Sequence, residues 1–187
     1  PLTEEDKPEV SWLDGNNVAG QNPGNLFSTE GNSSIVIQLL PMGEVEKREG
    51  TLLRQEMGML FQGAALFDSM NVLHNVLFPL KMFSSKTHRE QLDRARFCLD
   101  RVGLIDAEKK MPSELSGGMQ KRVAIARAIA LEPRYLFCDE PNSGLDPISS
   151  RLIDRLISDI THEYGITTIV NTHDMNSVMG IGDSIIY

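Results

Sequence analysis

Tyr135-Leu-Phe-Cys-Asp-Glu-Pro141 is a short apolar run that ends in two adjacent carboxylates, Asp139 and Glu140. Residues 135–138 favour β-structure and do not alternate, which is the pattern of a strand buried on both faces of a parallel sheet. The carboxyl end of such a strand is where open α/β sheets bind ligands. Asp146-Pro147 then predicts a helix start, with Asp as N-cap and Pro in the first turn. Ile148, Leu152, Leu156 and Ile160 recur every four residues, and Gly165 closes the helix. Residues 166–170 read as another buried strand. Strand, helix and strand in this order make a βαβ unit and hence a parallel sheet.

Upstream lies Leu115-Ser-Gly-Gly-Met-Gln-Lys-Arg122. Ser116, Gly117 and Gly118 open a helix expected over 119–131, which Pro133 ends because the residue before proline is pushed out of helical geometry. Small residues at a helix N-terminus let backbone N–H groups approach an anion, and the local field favours negative charge. In 86–102, Leu92, Ala95, Leu99 and Val102 fall at helical spacing, and Gly103 stops the helix. Met59-Leu60-Phe61 reads as a short strand that ends at Gln62. His173 follows the strand over 166–170, in Asn171-Thr-His-Asp174. Asp139 is placed to hold Mg²⁺, and Glu140 to take a proton from an attacking water. His173 is placed to reach a phosphate or that water, and Gln62 to touch both metal and water.

The chain has 187 residues and a formal net charge of −8. That length suits one domain with its own core. The acidic balance argues against a nucleic-acid surface, which needs a basic stripe. No apolar run is long enough to cross a bilayer; the run over 35–40 is broken by Gln38 and ended by Pro41. Cys98 and Cys138 sit in apolar contexts and read as buried, reduced thiols. The chain opens on Pro1 and closes on Ile185-Ile186-Tyr187, which reads as an unfinished strand. The expectation is an internal piece of a longer protein.

In order along the chain, these strings resemble the ATP-binding cassette (ABC) ATPases. Gln62 matches the glutamine loop, 115–120 the signature loop, 135–140 the Walker B strand, 143–146 the D-loop and His173 the histidine switch. Order and spacing agree over 53–187. The resemblance implies an α/β fold of the P-loop NTPase type: a mainly parallel sheet plus a helical subdomain, N-terminally truncated. Within a single partial domain, 1–20 would be a residual N-terminal β subdomain and 21–45 an atypical loop or insertion. Residues 63–114 would be the helical subdomain, and 115–187 the part with signature, Walker B, D-loop and histidine switch. The implied cofactors are ATP and Mg²⁺. Glu140, His173 and Gln62 take catalytic roles, and Asp139 and Gln62 serve the metal. Leu115, Ser116, Gly117, Gly118, Met119, Gln120 and Asp146 contact nucleotide.

A narrower resemblance rests on Met57-Gly-Met-Leu-Phe-Gln-Gly-Ala-Ala-Leu-Phe-Asp-Ser69 and Asn75-Val-Leu-Phe-Pro-Leu80. These, with 137–147 and 171–178, are similar to the Mla-type (Mce-associated) phospholipid transporter ATPases, in their Bacteroidetes branch. The implied partners are a second ABC ATPase subunit (as a homodimer), transmembrane permease subunits and an Mce-domain substrate-binding protein, with no nucleic acid. The implied place is peripheral, on the cytoplasmic face of the inner membrane. Phe67, Met70, Val72, Val76, Phe78 and Phe83 fall where that family forms its groove for the permease, and most are expected in the core.

Two departures stand out. No Gly-x-x-x-x-Gly-Lys-Ser/Thr occurs in the chain, and no lysine follows a glycine. In the family that loop's lysine and backbone N–H groups hold the phosphates. Family topology would place it ahead of Pro1, since 9–15 resembles the piece that follows it. The 187 residues alone are therefore expected to bind ATP weakly or not at all. The second departure is 21–45, a longer connection than the family uses to reach the equivalent of Leu53-Arg54. A tolerated loop and a frameshift or assembly error account for it equally well. A rival reading is a catalytically incomplete ABC-like scaffold or regulatory subunit, or a gene fragment. A chromosome-maintenance ATPase is disfavoured by the lack of sustained heptads and by the acidic charge.

Overall fold

The computed structural model describes residues 55–185. The expected strand at 10–13, the Asp14-Gly15 turn, the loop over 21–45 and the run over 35–40 lie outside the described residues, as do Ile186 and Tyr187. Ile185 is described and belongs to no strand.

Three strands pair in parallel in the order β1 (Met57–Leu60), β2 (Tyr135–Asp139), β3 (Thr167–Asn171). Leu60 lies opposite Cys138, and Cys138 opposite Val170. The central position of β2 explains its composition: Leu136 and Cys138, which share one face, are buried, and Phe137 on the other face is half-buried. β1 starts two residues before the expected Met59 and stops at Leu60, leaving Phe61 exposed. Gly58 belongs to the strand because a helix backbone presses on it. A Cβ there would lie 2.6 Å from the Ala128 carbonyl oxygen. β3 runs through Asn171, and its apolar residues are half-buried rather than buried as expected, because it is the outer strand of the described sheet.

Among the described residues, the helices that lie wholly within them are α1 (Val72–Phe83), α2 (His88–Arg101), α3 (Gly117–Ala128), α4 (Pro147–Tyr164) and α5 (Met175–Ile181). Short 3₁₀ turns, Ile105–Ala107 and Pro112–Glu114, join α2 to α3. Asn71, Thr87, Ser116, Asp146 and Asp174 cap the N-termini of α1 to α5, in that order, with side-chain oxygens. At α2, Thr87 and Glu90 complete a capping box.

α1 contains Pro79. The chain reaches it through a loop built on buried Asn75, whose Oδ1 accepts from the Phe67 N–H at 2.8 Å. Its Nδ2 donates to the carbonyls of Phe67, Met70 and Asn71. Of the residues expected on this stretch, Val72 and Val76 are fully buried, Phe67 is exposed, and Met70, Phe78 and Phe83 are half-buried.

α3 starts at Gly117 and stops at Ala128, shorter than 119–131 at its end and longer at its start. Pro133 lies beyond its last turn, and the residue ahead of that proline is out of helical geometry, as expected. The backbone turns left-handed at Glu132 (φ 58°), and the Arg94 guanidinium of α2 donates to the carbonyls of Ile129 and Ala130.

α4 has the expected ends, with Asp146 as cap and Gly165 in a left-handed conformation (φ 59°). Its core face differs. Ile153, Ile157 and Ile160 are each 1% exposed, while Ile148 and Leu152 are 67% and 56% exposed. A four-residue step overshoots the helical turn by about 40°. The four-spaced series therefore drifts off the buried face and rejoins it only at Leu156 and Ile160.

The core lies where α3 packs on β1, α1, α2 and α4. Val123, Ala124, Ile125 and Ala126 are all fully buried, so this helix is enclosed all round. Cys98 and Cys138 are free and buried, and burial pushes their thiols up to about 11 and about 12. Among the described residues no helix is long and apolar enough to cross a membrane.

Candidate active site

The carboxyl ends of the three strands bring Gln62, Asp139, Glu140, Asn171 and His173 to one edge of the sheet. Asp139 ends β2 in register with Asn171, which ends β3. The Asn171 amide donates to Asp139 Oδ1 at 2.8 Å, which leaves Oδ2 for another partner.

Glu140 follows in a left-handed backbone conformation, φ 45°. An L side chain there is crowded by its own carbonyl, at a cost of about 1–2 kcal/mol. Bonds on both sides hold it. Its N–H donates to the Asn171 carbonyl at 2.8 Å, and its carbonyl accepts from Lys121 Nζ at 3.1 Å. The turn aims the carboxylate at His173. Oε1 lies 2.8 Å from His173 Nδ1 and accepts from the His173 backbone N–H at 3.1 Å. The histidine side chain is 86% exposed and the glutamate 17%.

The hydrogen bond to Glu140, and then the charge of that carboxylate, raise the His173 pKa above its ordinary 6.5. The pairing thus contributes stability in full below pH 6.5, and loses it as pH rises through the raised folded value. An NMR titration of the His173 ring in the intact gene product should give a pKa above 6.5, falling back toward 6.5 in Glu140→Gln. An unshifted ring in the unsubstituted protein would contradict the pairing.

Gln62 lies just past β1. Its Nε2 donates to Ser143 Oγ at 3.1 Å, which leaves Oε1, the atom a cation would take. Its backbone carbonyl accepts from Lys121 Nζ. Carboxylate and amide oxygens at the ends of neighbouring strands are the hard donors that suit Mg²⁺, which keeps several waters of its own.

The signature string is set apart from these carboxylates. Ser116 caps α3, its Oγ accepting from the Met119 N–H at 3.3 Å. Gly117 and Gly118 are the first two helical residues, where a backbone N–H has no partner inside the helix. The Leu115 side chain is buried, and that of Met119 packs on the core and is half-buried. The Gln120 amide donates to the Pro112 carbonyl at 3.0 Å and ties the preceding turn to the helix. A Cβ on Gly117 would sit 3.5 Å from Leu145, and one on Gly118 3.6 Å from Ser149. These are ordinary contacts, so packing within this chain does not require either glycine. Asp146 Oδ1 accepts from the N–H groups of Ile148 and Ser149, both at 3.0 Å. Hydrogen bonds from Ser149 first, and then from the start of α4, hold its carboxyl below the usual carboxylate range.

Two clusters result. One joins Gln62, Ser143, Asp139, Glu140, Asn171 and His173; the other sets the signature turn beside Leu145, Asp146 and Ser149. Among the described residues no hydrogen bond links 115–120 directly to Asp139, Glu140 or His173. An open cleft of about 960 Å³ runs from Glu140 and His173 along Ser143, Leu145 and Arg151.

Three features escape a reading of the sequence. Asn171 was legible only through its register with Asp139. Lys121 had one signal, a charged side chain within a stretch that is otherwise enclosed. The third carries no local pattern. The Asn142 amide donates to Asp154 Oδ1 and Ser177 Oγ, both at 2.7 Å, and Ser177 donates to Asp154 Oδ2 at 2.9 Å. This anchors the turn after Glu140 to α4 and α5.

Comparison with known proteins adds the following. The profile of the ABC transporter family matches residues 27–143. The probable ribonucleotide transport ATP-binding protein mkl of Mycobacterium leprae (strain TN) is 40% identical over 151 residues, covering 81% of this chain and 44% of the relative. The intermembrane phospholipid transport system ATP-binding protein MlaF of Escherichia coli (strain K12) is 45% identical over 131 residues, covering 70% and 49%. The chain therefore spans less than half the length of these relatives. Among solved structures, the dimeric post-hydrolysis state of the ATP-binding cassette MJ0796 bound to ADP and Pi superposes with a TM-score of 0.64 at 32% identity. That match covers 76% of this chain and 63% of the other.

Proposed function

The chain belongs to the ABC transporter family, and from that premise we propose that it is the ATP-hydrolysing subunit of a transporter whose cargo is a phospholipid. One observation carries the reading of chemistry: Glu140, buried to 17% exposure and backed by His173, stands beside Asp139 at the carboxyl end of the central strand.

Glu140 is the general base that takes the proton of the water attacking the γ-phosphate. His173 holds Glu140 Oε1 now, and would release it to bond the γ-phosphate or the water. Asp139 and Gln62 would hold Mg²⁺, which when bound neutralises charge on the phosphates. Gly117 and Gly118 present free N–H groups at a helix N-terminus, and Ser116 sets their geometry. Those groups lie in the other cluster, so we assign them to a nucleotide held by a second copy. The dimeric solved relative supports this arrangement.

The phospholipid assignment is supported by the match to a protein named for intermembrane phospholipid transport and by the likeness of 57–69 and 75–80 to that group. Relatives named for ribonucleotide transport and methionine import are the competing assignments. With the phospholipid reading come permease subunits, an Mce-domain partner and a peripheral place on the inner membrane. Residues 63–114, which carry α1 and α2, would then meet the permease. The competing reading is a scaffold or regulatory subunit that does not hydrolyse ATP, and one assay separates the two.

The test uses the intact gene product, alone and with its permease in phospholipid vesicles. Release of phosphate from ATP should require Mg²⁺ and stop on chelation. Phospholipid, and neither methionine nor a ribonucleotide added beside the ATP, should stimulate it. No Mg²⁺-dependent release would favour the scaffold, and stimulation by another solute would reassign the cargo.

A further inference from the structure

Lys121 is 4% exposed on a helix whose following residues, Val123 to Ala126, are fully buried. An ammonium taken out of water is costly unless hydrogen bonds and charges compensate it. Here burial lowers the pKa, and the charges of Asp139 and Glu140 oppose that effect. A methionine has the same reach and none of this cost, so the placement calls for an explanation beyond filling space.

The acceptors supply it. Nζ donates to the backbone carbonyl of Gln62, just past β1, and at 3.1 Å to that of Glu140, just past β2. Both residues carry groups assigned above to metal and water. Both stretches of backbone are unusual, with Glu140 left-handed at φ 45° and Ala64 and Ala65 left-handed at 60° and 48°. Such conformations persist only where surrounding bonds over-determine them. Arg127, on the same helix, donates to the carbonyls of Ala64 and Ala65 at 2.8 and 2.6 Å. α3 thus pins the loop after β1 at two points. Lys121 ties that loop to the Glu140 turn.

We propose that Lys121 is a positioning residue: its ammonium, bonded at once to the Gln62 and Glu140 carbonyls, fixes the Gln62 amide and the Glu140 carboxylate relative to each other. It also lies one helical turn from Gly117, so a shift of the signature turn is passed to Glu140 through a single side chain. The proposal rests on the ATPase reading above.

A purely structural lysine would change stability and leave the chemistry of the folded protein intact. A positioning lysine changes kcat at unchanged KM. A misplacement of about 1 Å costs up to about 100-fold in rate. In the intact gene product, Lys121→Met is expected to lower kcat at least about tenfold with KM for MgATP within about twofold. Lys121→Gln, which keeps one donor group, should fall between. In a Glu140→Gln background, Lys121→Met should lower the residual single-turnover rate no further, because the group it positions is already disabled.

Folded Lys121 variants with kcat within twofold of the parent would overturn the proposal. So would an undiminished further loss on Glu140→Gln, or a loss confined to KM. Failure of both variants to fold would assign Lys121 to structure alone and overturn it as well. Normal turnover in Glu140→Gln would remove the ATPase reading itself. Normal turnover in the Lys121 variants beside an inactive Glu140→Gln would remove only this inference.

Discussion

Glu140→Gln should lower ATP turnover by about 100- to 10,000-fold, the usual contribution of a general base, and leave MgATP affinity within about twofold. Glutamine has the same shape. Its backbone can adopt the same left-handed turn, held by the Asn171 carbonyl and by Lys121. Its amide oxygen can still accept from the His173 backbone N–H, as Glu140 Oε1 does at 3.1 Å. What it cannot do is take a proton from water. Binding and chemistry should therefore separate. A comparable fall in both would mean that Glu140 holds the site together rather than acting on the water. Steady-state kinetics and nucleotide binding on the intact gene product distinguish these results.

Gly118→Asp should separate stability from activity in the opposite sense. Gly118 is the second residue of α3, and a Cβ there meets Ser149 at an ordinary 3.6 Å. An acid in the first turn suits the helix field, so stability should rise by about 0.3–1 kcal/mol. The same carboxylate would occupy the place assigned to a phosphate. At about 4 Å and an effective dielectric of about 20, two like charges repel by about 4 kcal/mol, close to a thousandfold. Turnover should collapse while the urea-unfolding midpoint holds or climbs. Retained turnover would remove the anion seat from the account, and a large loss of stability would mean that the glycine is there for packing.

The parts of the fold legible in sequence were those written locally. β2 is a continuous apolar run, and both ends of α4 are marked by residues with one structural use, Asp146-Pro147 and Gly165. The family was legible for the same reason, since each of its strings is contiguous. The inward face of α4 was misjudged because spacing by four resembles the helical period without equalling it. α1 was not delineated. Pro79 argues against a helix, and Asn75, which organises its approach, looks like any polar residue until the carbonyls around it are seen. The site divides in the same way. Asp139 ends β2, Glu140 and His173 lie just past the ends of β2 and β3, and their meeting follows from parallel register. Lys121 meets Gln62 and Glu140 across 59 and 19 residues of sequence, a contact that exists only once α3 has packed against the sheet.

In the proposed assembly the signature turn of one copy and the carboxylates of another close on the same ATP. Analytical ultracentrifugation of the intact gene product carrying Glu140→Gln, with and without ATP, addresses it most directly. The expected result is a monomer that ATP converts to a dimer, and that stays monomeric with ATP once Gly118→Asp is added. A dimer that forms equally well with Gly118→Asp, or no response to ATP in Glu140→Gln, would contradict it.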